Sequence, residues 1–164
     1  TVIDCSGRTL MPGLTDAHVH AAIIETDYFL LSAYGETGQV PPAMLDKINK
    51  AKARGLESLA VARSAGVKIA SGSDVLGPMQ PFKSMELGLK AQVLGAHAAI
   101  LSATRTNAEL FGMGDDIGTI ETGKRADLIL VNGNPLDDIG VLQNATNVVF
   151  VMRDGQVFKD QLAA

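Results

Sequence analysis

The spacing of apolar and polar residues changes character twice along the chain. At the start, Val2-Ile3-Asp4-Cys5 reads as a short strand that runs into a Ser6-Gly7 turn. Thr9-Leu10-Met11 then leads through Pro12-Gly13 into a second strand over residues 14–20, with Gly and Pro marking each change of direction. From there the rhythm becomes helical. Ile23, Ile24, Phe29, Leu30, Leu31 and Tyr34 predict a helix over 23–34, and residues 35–39 a loop. Pro41-Pro42 opens a longer helix through Met44, Ile48, Ala51, Leu59 and Ala62, because a proline in the first turn gives up no hydrogen bond. Gly55 is expected to bend or split this helix, and Gly66 to end it. A short strand over 67–70 runs into Ser71-Gly72-Ser73-Asp74, and helices are expected over 82–94 and 97–111. After Gly112 the texture turns to β-runs over 117–120, 126–131, 148–153 and 156–159. The last two are joined at Asp154-Gly155, residues that tolerate the positive φ a two-residue primed turn needs.

Helix, strand, helix with a carboxylate at a strand end belongs to α/β architecture with parallel strands, and the β-rich tail reads as a separate small unit. The composition is that of a globular chain with a core: 164 residues, 46% hydrophobic and 20% charged. A formal net charge of -4 offers no basic face for phosphates, so small molecules are favoured over nucleic acid as partners. Cys5 is the only cysteine, which excludes an intrachain disulfide and a thiolate zinc site and fits a cytoplasmic setting. No apolar run reaches the ~18 residues of a membrane span, and no signal peptide is visible. Thr1 rather than Met opens the chain, so an upstream segment is expected to have been removed.

His18-Val19-His20 carries the most chemical information. Alternate side chains of a strand share a face, so both imidazoles can reach one cation at about 2.0–2.1 Å. The competing reading is a pair of histidines satisfying hydrogen bonds on a half-buried strand. The surroundings bear on the choice. Met11-Pro12-Gly13-Leu14-Thr15-Asp16-Ala17-His18-Val19-His20 resembles the segment that opens the barrel of the metal-dependent amidohydrolase superfamily. Val67-Lys68-Ile69-Ala70-Ser71-Gly72-Ser73-Asp74 resembles that family's eighth barrel strand. Gly118-Thr119-Ile120-Glu121-Thr122-Gly123-Lys124-Arg125-Ala126-Asp127-Leu128-Ile129-Leu130 is similar to the start of its C-terminal β-sandwich. Within the superfamily, residues 41–74 look most like the imidazolonepropionase and Xaa-Pro dipeptidase group, which also holds arginine and lysine carboxypeptidase-like members.

The resemblance implies a partial TIM-barrel-like (β/α) unit over 14–111, with residues 1–13 and 112–164 forming a small β-sandwich-type domain. It also implies His18, His20 and Asp74 as ligands of Zn²⁺ or another divalent metal, with Asp74 also taking the proton of the attacking water. The pattern is incomplete. Family members also supply a bridging carboxylated Lys or a Glu and two more histidines from the middle of the barrel. Only 53 residues (21–73) lie between His20 and Asp74 here, whereas each strand and crossover takes roughly 30 and a closed barrel about 250. His97, expected at a helix start or on the surface, and Lys68, six residues before Asp74, do not fill the gap. The Asp115-Asp116 and Asp137-Asp138 pairs read as solvated turns or helix caps.

Three functions stay open. The first is hydrolysis of carbon-nitrogen bonds, amide or peptide-like, in small polar substrates. The second is an inactive fragment that serves as a structural or assembly unit. The third is deamination of a nucleobase-like ring. Open sheet edges in a partial barrel also favour a homo-oligomer.

Overall fold

The computed structural model describes Cys5 and residues 7–16, 41–73 and 77–162. The helix expected over 23–34, and His18, His20 and Asp74 themselves, lie outside the described residues.

Among the described residues, four strands form one antiparallel sheet in chain order: β1 (Arg8–Pro12), β2 (Leu128–Asn132), β3 (Val148–Arg153) and β4 (Gln156–Asp160). β1 comes from the far N-terminal side and pairs with β2 from Arg8 opposite Asn132 to Pro12 opposite Leu128. The hairpin between β3 and β4 turns at Asp154 and Gly155, with φ of 49° and 76°, which are the two left-handed residues a primed turn requires. A bulge against β2 leaves Val149 as an extra residue in β3. That extra residue explains why Val149 and Phe150, although consecutive, join one cluster with Leu130 while Val148 and Val151 pack on the other face.

The main core lies between that other face and the helices. Met11, Ile129 and Val131 of the sheet meet Leu87, Ile100 and Ala103, with Leu142 closing the side. These helical residues come from α2 (Met85–Leu94), α3 (Ala96–Ser102) and the turn that precedes α4 (Arg105–Leu110). Before them runs α1 (Pro42–Ser64), whose 23 residues continue through Gly55 without the expected break. Good helix formers on both sides, Ala51 to Arg54 and Leu56 to Glu57, offset the roughly 1 kcal/mol that an interior glycine costs. Gly66, at φ 72°, does end α1: its N–H reaches Arg63 O, and that of Val67 reaches Ala62 O, the paired bonds of a Schellman cap.

Three other expectations change. The helix over 97–111 is two helices, because Ser102 Oγ donates to Ala99 O and Thr104 Oγ1 to Ile100 O, local bonds that compete with continuation of the helix. Residues 117–120 are turns and bends rather than a strand. Gly118 has φ 91°, and a Cβ there would lie 2.6 Å from that of Ala108, so the segment is wedged against α4. Residues 14–16 and 67–70 belong to no strand. What holds these two stretches bears directly on the site.

Candidate functional site

The two segments that lead to the proposed ligands meet. Ser73, immediately before Asp74, donates from its backbone N–H (2.8 Å) and from its hydroxyl (2.5 Å) to the carboxylate of Asp16, two residues before His18. Without a ladder, the backbone of residues 70–73 takes its partners from side chains. Asn107 in α4, fully buried, accepts from Ser71 N–H at 3.0 Å and donates to Ser71 O at 2.8 Å. The same amide donates at 2.5 Å to Thr15 O in the other segment. Glu86 of α2 accepts from Gly72 N–H at 3.0 Å. Lys90, one turn further along α2 and fully buried, donates to Glu86 at 2.5 Å and to Ala70 O at 2.6 Å. Buried polar groups need partners, and here a buried ion pair and one amide supply them. Thr15 N–H is taken by Ala103 O at 2.7 Å and Gly13 N–H by Asp127 O at 2.8 Å.

Helices α2 and α4 thus hold the two arms. A cavity of about 130 Å³ lies where they meet, lined by Leu14, Thr15, Asp16, Ser71 and Glu86 among others. A wider groove of about 820 Å³ runs from the same arm past Phe111 and Met113 to Arg125, Asp127 and Arg153. Among the described residues no group of three His, Cys, Asp or Glu side chains is placed to hold a metal. Asp16 and Glu86, the carboxylates nearest the arms, are engaged with backbone and hydroxyl donors as just described. His18, His20 and Asp74, the ligands expected from the sequence, lie outside the described residues.

The remaining candidates are exposed. His97 is exposed near the start of α3. Lys68 is exposed and pairs with Glu109 of α4 at 2.8 Å. Glu109 also accepts from Arg105, and the hydrogen bonds from Lys68 and Arg105 hold its carboxyl below the usual glutamate range. Asp115 and Asp116 are exposed in a turn, while Asp138 caps a 3₁₀ turn at Gly140 N–H and Asp137 accepts from Asn134. In the glycine-rich stretch before β2, Lys124 donates to Gly114 O and Thr119 Oγ1, both at 2.6 Å. The Thr119 hydroxyl, followed by the charge of Lys124, lowers the Glu121 pKa. Asp127 accepts from Asp154 N–H at the hairpin, so this motif locks the sheet to the turn before it.

Sequence reasoning missed Asn107, Glu86 and Lys90. A signal for the last two was present: a Glu and a Lys four residues apart in a helix whose other residues, Gln92 aside, are apolar or glycine. Asn107 had none, since its partners lie 36 and 92 residues away.

Comparison with known proteins places this chain in a family. The amidohydrolase family model matches residues 23–158. An imidazolonepropionase from Aromatoleum aromaticum is 39% identical over 74 residues, covering 43% of this chain and 18% of that protein. A 5-methylthioadenosine/S-adenosylhomocysteine deaminase from Moorella thermoacetica is 29% identical over 134 residues, covering 73% of this chain and 31% of that protein. The crystal structure of a prolidase complexed with N-methylphosphonate-L-proline superposes with a TM-score of 0.72 at 38% identity, covering 84% of this chain and 34% of that one. The chain thus spans a third or less of the length of the two curated relatives and about a third of the prolidase. With TIM-barrel-like relatives, mixed helix and strand content and a family match over most of its length, this chain belongs to the amidohydrolase family.

Proposed function

We propose that this chain is part of a metal-dependent hydrolase that cleaves carbon-nitrogen bonds of small polar substrates, amide or peptide-like. The observation that carries the reading is the Asp16–Ser73 contact, which joins the approach to His18 and His20 to the approach to Asp74. His18, His20 and Asp74 would hold the cation, zinc being the metal best suited to the set. A divalent cation bound there polarises a carbonyl and makes water more acidic. Asp74 accepts the proton of the attacking water and returns it to the leaving nitrogen. Lys90, Glu86 and Asn107 keep the arm of Asp74 in place while the proton moves. Residues 14–111 form the barrel portion in this reading, and residues 1–13 with 112–164 the β-sandwich-type unit, to which the four-stranded sheet belongs. The prolidase and imidazolonepropionase likenesses favour an amide-like substrate. The likeness to a deaminase over 73% of the chain favours a second reading, in which water that gives its proton to Asp74 attacks a ring amidine and ammonia leaves.

Zinc content of the purified chain and of His18→Ala tests the site. Stoichiometric zinc that is lost in the variant is expected; equal content in both would overturn it. Release of a free amine from Xaa-Pro dipeptides separates the first chemistry from release of ammonia from an aminopurine nucleoside.

A further inference from the structure

We infer that Asn107 is a positioning residue for metal binding, setting the spacing between the arm before His18 and the arm before Asp74; this rests on the proposed ligand set. The inference comes from the geometry of one side chain. Its amide nitrogen donates to Thr15 O and to Ser71 O while its oxygen accepts from Ser71 N–H, so a single rigid group spans both arms three residues before each ligand segment's first ligand. Asn107 is fully buried. Among the described residues, neither arm has a strand ladder of its own to fix the separation. The amide is itself anchored in α4, whose neighbour Ala108 packs against Gly118, so the clamp is built on a rigid element.

Groups that orient ligands from outside the coordination sphere typically change metal affinity by roughly 10–100-fold when removed. Leucine has nearly the shape of asparagine without its hydrogen bonds. Asn107→Leu in the full chain is therefore expected to weaken zinc binding by about 10–100-fold in a chelator-competition titration. Val131→Ala, a core variant on the sheet, serves as a control for lost stability and is expected to shift zinc affinity less than about threefold. Wild-type chain that binds zinc while Asn107→Leu binds within threefold of it overturns the inference and leaves the hydrolase reading standing. Equal losses in Asn107→Leu and Val131→Ala also overturn it, because they trace the effect to general destabilisation. Wild-type chain that takes up no zinc removes the hydrolase reading and this inference together. If Asn107→Leu does not fold, amide exchange in the metal-free wild type decides. The Ser71 N–H is expected to be protected as strongly as that of Leu130 in β2, and exchange at the rate of an open loop overturns the inference.

Discussion

The sheet and the arm that runs through residues 70–73 meet the same requirement by opposite means. Both bury backbone N–H and C=O groups that must be paired. In the sheet, β1 to β4 pair backbone with backbone, with a register shift in the β2–β3 pair and another in the β3–β4 pair, and the loss of one bond leaves its neighbours intact. In the arm, Lys90, Glu86, Asn107 and Asp16 reach in from elements distant in sequence, and each serves a particular backbone group. A ladder tolerates side-chain change because its bonds belong to the main chain. A side-chain scaffold can be cut at one residue, and it holds an extended segment in place without a neighbouring strand.

The largest expected break in that contrast is Lys90→Met. Removing the ammonium leaves Glu86 as a buried carboxylate without its charge partner, and Ala70 O without its donor. A loss of about 3–5 kcal/mol in urea unfolding is expected. Adding Glu86→Gln should recover part of it, because the uncompensated charge goes. If Lys90→Met unfolds at the wild-type midpoint, the arm does not depend on the pair.

On the sheet side, Gly155→Ala strains only the hairpin turn, where φ is 76° and nothing lies within 4 Å of the added methyl. A cost of about 1 kcal/mol is expected, with the sheet retained by circular dichroism. A loss as large as that of Lys90→Met would remove the contrast between ladder and scaffold.

The smallest effect is expected at the exposed edge of the arm. Glu109 has a lowered pKa in the folded chain, so the stability it contributes is present above the pKa it has when unfolded. That contribution is lost as pH falls through its lower folded value. Glu109→Gln should therefore flatten the acid side of the thermal midpoint against pH slightly, and salt should mask the difference. A variant curve parallel to the wild type at every pH would show that the Lys68–Glu109 contact contributes nothing to folding.

The strands 148–153 and 156–160 and the Asp154-Gly155 turn were legible because alternation and turn chemistry are local. The end of α1 at Gly66 was legible for the same reason, and so was the family, through motifs at three places in the chain. The unbroken course of α1 past Gly55 and the break at Thr104 were not, because each depends on the balance between neighbouring helix formers and competing hydroxyl bonds. The strand expected over 67–70 failed for a deeper reason: Val67 and Lys68 are exposed, and Ala70 O is bonded by the Lys90 side chain, a partner that local pattern does not show.

By itself, then, the sequence determined the antiparallel tail, the helical character of the residues on either side of Gly55 and the types of residue available to hold a cation. Tertiary structure alone decided which strand β1 pairs with and in what register across more than a hundred residues, and that the two arms are held side by side by Asn107, Asp16 and the Lys90–Glu86 pair. Local preference is written in neighbouring residues, whereas the partner of a buried polar group is chosen only when distant segments pack together and exclude water.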